Sequence, residues 1–281
     1  MLILHAPAKI NLSLDVLGRS ADGYHDLVMP THAAEGFCDE IRLRLLDSPV
    51  FAAFSNKRNL PRGDRNLAVT AARLFLSKTG RLGMGADIEI IKRIPVSAGL
   101  GGGSSDAAAV LSGLNRHFGN EISDGLLREW GLELGSDVPF CLMGGTALVE
   151  GRGEKLTSLP PLPFCRILLC RPPTAVSTRA AFAAFKNKPH LRRPDTDGLV
   201  KALHKGDLRG VAMRMFNVFE EQVAAGCKDI PEIRAAMTGG GALGVSMSGT
   251  GATMFGLFSD EALADAAYTS LKQRYRDTFL A

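Results

Sequence analysis

The chain has 281 residues, 46% apolar and 22% charged, which suits an ordinary globular protein of one large domain or two modest ones sharing a cleft. Its net charge of +4 is too mild for a nucleic-acid partner, and Lys188 to Arg193 is a short, proline-flanked basic stretch that reads as a solvated loop. Five cysteines without a CxxC pair, no apolar run of bilayer length and a start too short for a secretory segment lead to the expectation of reduced thiols in a cytoplasmic protein without a membrane span.

Residues 2–17 alternate as a strand around Ala6-Pro7-Ala8-Lys9, and 41–46 (IRLRLL) alternate again. Asn66 can cap a helix that puts Leu67, Ala71, Leu74 and Phe75 on one face and stops near Gly80. Residues 86–90 alternate apolar and acidic and read as a half-buried strand. A glycine turn follows, then a helix carrying Ala107, Val110, Leu111, Leu114 and Phe118, with Gly119 as its stop. A helix over 126–134 leads into Gly135-Ser136-Asp137-Val138-Pro139. Strands are expected at 146–150 and 166–170, with Leu159 to Pro163 as linker between an N-terminal domain (1–157) and a C-terminal one (158–281). In the second half, 211–225 reads as one amphipathic helix, 231–237 as a helix begun by proline and 253–258 as a strand. A final helix opens at Ser259-Asp260-Glu261. The whole is α+β in two parts, and the cleft between them is the natural place for a site.

The turn Gly99-Leu100-Gly101-Gly102-Gly103-Ser104-Ser105 is entropically costly, because glycine loses the most backbone freedom on ordering. Its return is geometric: without Cβ atoms, backbone N–H groups can converge on an anion together with the free N–H groups of the next helix, which Ser104 and Ser105 can cap. A tight strand-to-helix turn without a ligand is an equal reading of the same residues. The pattern is neither a Walker loop, which ends in Gly-Lys-Ser/Thr, nor a Rossmann turn at the start of its domain.

The segment Pro95-Val96-Ser97-Ala98-Gly99-Leu100-Gly101-Gly102-Gly103-Ser104-Ser105-Asp106 resembles the phosphate loop of the GHMP kinases. Pro7-Ala8-Lys9-Ile10-Asn11-Leu12, the stretch Gly18 to His25, and Gly135-Ser136-Asp137-Val138-Pro139-Phe140 are similar to segments of one of its member families, the diphosphocytidyl-methylerythritol kinases. Met247-Ser248-Gly249-Thr250-Gly251-Ala252-Thr253 matches a further superfamily segment. The matches stand in the family's order and span nearly the whole chain, with 180–235 resembling little.

The resemblance implies a two-domain GHMP fold with its active-site cleft between the domains. It also implies ATP as phosphoryl donor, a requirement for Mg²⁺ and a small cytidyl diphosphate as acceptor. It gives Pro95 to Ser105 to the ATP phosphates, and Asn66, Leu67 and Lys92 to the nucleotide. Asp137 is implied as the catalytic carboxylate with Lys9 beside it. Asn11, Tyr24, His25, Thr178, Phe182, Gly249 and Thr250 are implied on the substrate. The ligand of the metal and the oligomeric state are left unassigned. Read without the resemblance, Asp137 is a turn cap, Lys9 an edge-strand lysine with its head in water, Phe182 helix packing, and Tyr24 and His25 rings on a loop after Asp22-Gly23.

Overall fold

A computed structural model describes residues 1–19, 25–58, 60–61, 63–185 and 192–281. In chain order its strands are β1 (Leu2–Asn11), β2 (Ser13–Arg19), β3 (His25–Leu46), β4 (Phe51–Ser55), β5 (Gly85–Ile91), β6 (Thr146–Gly151), β7 (Lys155–Ser158), β8 (Arg166–Arg171), β9 (Phe216–Asn217), β10 (Gly244–Met247), β11 (Met254–Phe258) and β12 (Asp277–Leu280). The helices are α1 (Leu67–Lys78), α2 (Gly102–His117), α3 (Asp124–Leu134), α4 (Val138–Met143), α5 (Thr178–Ala184), α6 (Thr196–His204), α7 (Leu208–Ala212), α8 (Glu220–Ala224), α9 (Asp229–Gly239) and α10 (Glu261–Arg274).

The chain forms two compact units, neither continuous in sequence. One holds Met1–Ala8, Cys38–Val96 and Gly101–Gly144; the other holds Lys9–Phe37, Ser97–Leu100 and Gly145–Ala281.

In the first unit, β5 pairs antiparallel with the second half of β3 and parallel with β4. The alternation in both strands sets that register. Ile41 faces Ile90 and Leu43 faces Ile88, all fully buried, while Arg42 faces Glu89 and Arg44 faces Asp87. A slip of one residue would turn the isoleucines outward, and it would also part the cross-strand pairs Arg44–Asp87 (2.5 Å) and Arg42–Glu89 (3.4 Å). Such exposed pairs contribute little energy, so burial carries the stability and the charges help select the alignment. Helices α1 and α2 cover this sheet with Ala68, Ala72, Phe75, Val110, Leu111 and Leu114, and Trp130 of α3 meets Phe75 edge-on. Asn66 caps α1, its side chain accepting from Ala68 N–H at 3.0 Å.

In the second unit, β6 lies antiparallel to β3 from Leu27 to His32 and pairs in turn with β7, while β2 pairs with both β3 and β9. A separate antiparallel sheet runs β10-β11-β8-β12. Every residue of β11 is buried, which accounts for its unbroken apolar run, and α9 and α10 pack on this sheet.

Three local expectations are corrected. The single helix read over 211–225 is α7, a two-residue strand and α8. Asn217 breaks it: its buried amide donates to Met247 O and Gly249 O and accepts from Phe219 N–H, and these tertiary bonds outweigh helical periodicity. Ser104 and Ser105 do not cap α2. The cap is Gly101 at φ 67°, a left-handed conformation that costs glycine little, and the serines fall inside the helix. His25 opens β3 instead of sitting on a loop, and its predicted neighbour Tyr24 lies outside the described residues.

Candidate active site

Lys9 and Asn11 sit two apart on β1, hence on one face, and both are buried. Lys9 Nζ donates to Asn11 Oδ1 at 2.8 Å, and Asn11 Nδ2 donates to Thr31 Oγ1 at 3.0 Å. A lysine only 5% exposed as a residue, its ammonium bonded to Asn11, is not an edge-strand side chain with its head in water.

The same strand holds the first part of the glycine turn. Lys9 N–H donates to Leu100 O at 2.9 Å. Ser248 donates its hydroxyl to Gly99 O at 2.9 Å and accepts from Asn11 N–H at 3.4 Å. A Cβ on Gly99 would lie 2.2 Å from Ser248 O, and its φ of +77° also favours glycine, so this approach of two backbones admits no side chain.

The loop from Met247 to Gly251 is framed from behind. Asn217 Nδ2 donates to Met247 O and Gly249 O, each at 2.7 Å, and Glu220 accepts from Met247 N–H at 3.0 Å. Arg234 pairs with Glu220 and donates to Val245 O at 2.6 Å. The framed loop presents Thr250, whose hydroxyl lies 3.1 Å from that of Thr178 at the start of α5. One turn along α5, Phe182 meets the ring of His25 at 4.9 Å between centroids and Phe219 edge-on at 4.8 Å. An aromatic wall with a polar threonine pair is thus built in the second unit.

The first unit carries the rest of the glycine turn. Gly101 offers no side chain to the start of α2, so the N–H groups of its first turn are left for another acceptor. Gly103 is exposed, and a Cβ there would meet only Leu67 Cδ1 at 3.7 Å. Leu67 opens α1, so it lines the same place. A Cβ on Gly135 would lie 3.8 Å from Ser104 Oγ, which sets the Gly135-Ser136-Asp137 turn beside the start of α2. Asp137 stands at the cap position of α4, yet its side chain makes no capping bond.

Lys92, just past β5, is buried between two carboxylates: Asp39 Oδ2 at 2.5 Å and Asp106 Oδ2 at 2.6 Å. Burial pushes the Asp106 carboxyl up to about 7, with Lys92 opposing the shift and Asp39 adding to it. Among the described residues no cluster of three or more His, Cys, Asp or Glu side chains is placed to hold a metal ion.

The family described as GHMP kinases N terminal domain matches residues 66–145, and GHMP kinases C terminal matches 199–277. A protein of Clostridium acetobutylicum named 4-diphosphocytidyl-2-C-methyl-D-erythritol kinase is 39% identical over 98% of this chain and 97% of its own length. One of the same name from Lachnospira eligens is 42% identical over 96% and 93%. This chain belongs to that kinase family. Within the family, a crystal structure of 4-(cytidine 5'-diphospho)-2C-methyl-D-erythritol kinase superposes with TM-score 0.82 at 32% identity, covering 99% of this chain and 98% of the other. A homoserine kinase from Cytophaga hutchinsonii, at TM-score 0.79 and 22% identity, shares the fold.

Set against this family's expected site, the second unit gathers Lys9, Asn11, Ser97, Ala98, Gly99, Leu100, Gly249 and Thr250 with Thr178, His25 and Phe182. The first unit holds Asn66, Leu67, Lys92, Pro95, Val96, Gly101, Gly102, Gly103, Ser104, Ser105 and Asp137. Asn66 spends its amide on Ala68 N–H and Pro61 O, and Lys92 spends its ammonium on the two carboxylates. Sequence reading missed Asp39, Asp106, Asn217 and Ser248 as parts of the supporting frame. Asp106 and Ser248 lay inside quoted motifs and were open to a role; Asp39 and Asn217 carry no local signal.

Proposed function

We propose that this chain transfers the γ-phosphoryl group of ATP to the 2-hydroxyl of 4-diphosphocytidyl-2-C-methyl-D-erythritol, in the non-mevalonate (methylerythritol phosphate) route to isoprenoid precursors. One observation carries the reading. The strand with the buried Lys9–Asn11 pair is bonded directly to the glycine turn, through Lys9 N–H to Leu100 O and through Ser248 to Gly99 O. A buried cation and amide tied to the first residues of the glycine turn suit positioning-dominated phosphoryl transfer. The named relatives at 39% and 42% identity support the choice of acceptor.

In this reading the N–H groups at the start of α2 receive the ATP phosphates, with Pro95 to Ser105 shaping the cradle. Asn66, Leu67 and Lys92 border the nucleotide. Asp137 takes the proton of the acceptor hydroxyl, a contribution of about 10²–10⁴-fold. Lys9 lends positive charge to the transferring group and Asn11 orients the acceptor. Tyr24, His25 and Phe182 hold the cytosine by stacking and edge contacts, at about 1–3 kcal/mol for a stacked base. Thr178, Gly249 and Thr250 border the same substrate. Mg²⁺ enters with ATP as part of the substrate complex. We divide the sequence by family segment after residue 157, although the compact units interleave along the chain, and the chain works in the cytoplasm, where ATP is at hand.

The test is turnover on the cytidyl substrate beside homoserine and mevalonate derivatives. Activity on the cytidyl substrate alone is expected; activity confined to the other two overturns the proposal.

A further inference from the structure

The ion triad Lys92–Asp39–Asp106 is larger than stability calls for. Lys92 and Asp39 are already a complete buried pair at 2.5 Å, and Asp39 Oδ1 accepts in addition from Arg93 N–H at 2.6 Å and Ile94 N–H at 2.8 Å. Adding a second carboxylate, 2% exposed and with Oδ1 lacking a hydrogen-bond partner among the described residues, places an excess negative charge in the interior. Its carboxyl is pushed up to about 7, the mark of an ion held where burial disfavours it.

The position of Asp106 accounts for that cost. Lys92 stands just past β5 on the way into the glycine turn and Asp106 in the second turn of α2 immediately after it, and the 2.6 Å bond joins residues 14 apart in sequence. The bond closes the base of a loop that carries Ser97, Gly99 and Gly101 at φ of 54°, 77° and 67°. Asp39 fixes the way in by holding the N–H groups of Arg93 and Ile94. Gly102 lets the lysine pass beneath the helix, since a Cβ there would lie 3.0 Å from Lys92 Nζ and 2.9 Å from Ile94 Cγ2. That Cβ would crowd this support from beneath the turn.

We propose that the Lys92–Asp106 ion pair is a staple across the base of the glycine turn, and that Asp106 is thereby a positioning residue for the ATP phosphates. The proposal rests on reading the start of α2 as the phosphate cradle. With the staple in place, the N–H groups of Gly102 to Ser104 hold one direction before ATP arrives; without it the loop has to be ordered by the ligand.

The experiment compares Asp106→Leu, Asp106→Asn and Asp106→Ser by steady-state kinetics and thermal unfolding. Asp106→Leu keeps the neutral Lys92–Asp39 pair, and KM for ATP should rise about tenfold or more while KM for the cytidyl substrate stays within about twofold. Asp106→Asn still offers Lys92 an acceptor of the same reach and should recover most of the ATP affinity. Asp106→Ser is too short to reach Lys92 and should not, which decides the matter if the leucine variant does not fold. Native KM for ATP in the leucine or serine variant, or both KM values rising together with a lower Tm, overturns the staple. If instead Gly103→Ala leaves ATP affinity unchanged, the cradle reading itself fails, whatever the Asp106 variants do.

Discussion

Gly103 separates an anion cradle from an ordinary turn, because the two readings predict opposite outcomes for Gly103→Ala. The residue is helical and exposed, and an added Cβ would meet only Leu67 Cδ1 at 3.7 Å, an ordinary contact. Replacing a helical glycine with alanine should therefore stabilise the fold by about 0.5–1 kcal/mol. If the open side of Gly103 is where phosphate oxygens arrive, the same methyl holds them off the N–H groups of the first turn. Losing one charge-assisted hydrogen bond of about 1.5–3 kcal/mol raises the Kd for ATP by about 10–150-fold. Denaturant unfolding and calorimetric ATP titration on one preparation read both effects. Gly99→Ala serves as the contrast. Its Cβ would strike Ser248 O at 2.2 Å from a left-handed backbone, so it should destabilise by about 2–5 kcal/mol. A more stable Gly103→Ala protein with native ATP affinity would refute the cradle.

Two further outcomes follow from buried polar groups. Burial lowers the His32 imidazole from 6.5 to about 4, with Nδ1 2.9 Å from the Thr146 hydroxyl. Because the unfolded chain binds this proton more readily, the stability from a neutral His32 is whole above pH 6.5. It falls as the pH drops, with up to about 3 kcal/mol lost near pH 4. Urea unfolding across that range should show the loss, and His32→Gln should flatten it; an equal slope in the variant counts against the assignment. Asn217→Asp sets a carboxylate against the carbonyls of Met247 and Gly249 and should lower the unfolding free energy by about 2–5 kcal/mol. Denaturation measures it, and a change under about 0.5 kcal/mol would mean the amide does not frame that loop.

Features whose cause is local were legible in the sequence. The acidic alternation at 86–90 and the basic one at 41–46 each marked a strand, and the fold pairs the two so that their opposite charges face each other. Asn66 capped the helix it was expected to cap, and the glycine run marked a turn that needs left-handed backbone at Gly99 and Gly101. Lys9 and Asn11 shared a face because a strand repeats every second residue. What stayed hidden is assembled by the fold from distant parts. Asp39 meets Lys92 across 53 positions, and Ser248 meets Gly99 across 149. Asn217 reaches over 30 residues to carbonyls that carry no side-chain signature. A helical pattern at 211–225 misled because apolar spacing is blind to one buried amide that bonds elsewhere. The serines after the glycines misled for a related reason: they have the chemistry of a cap, but the backbone conformation at that position belongs to glycine.

The most direct test of the account follows labelled γ-phosphoryl from ATP to the cytidyl substrate, with the phosphorylated carbon located by NMR, in the native chain and in Asp137→Ala. The account predicts transfer to the 2-hydroxyl by the native protein. It predicts near-native ATP affinity in the variant, with turnover reduced by about 10²-fold or more. No transfer to that hydroxyl by the native chain, or native turnover without Asp137, would contradict it.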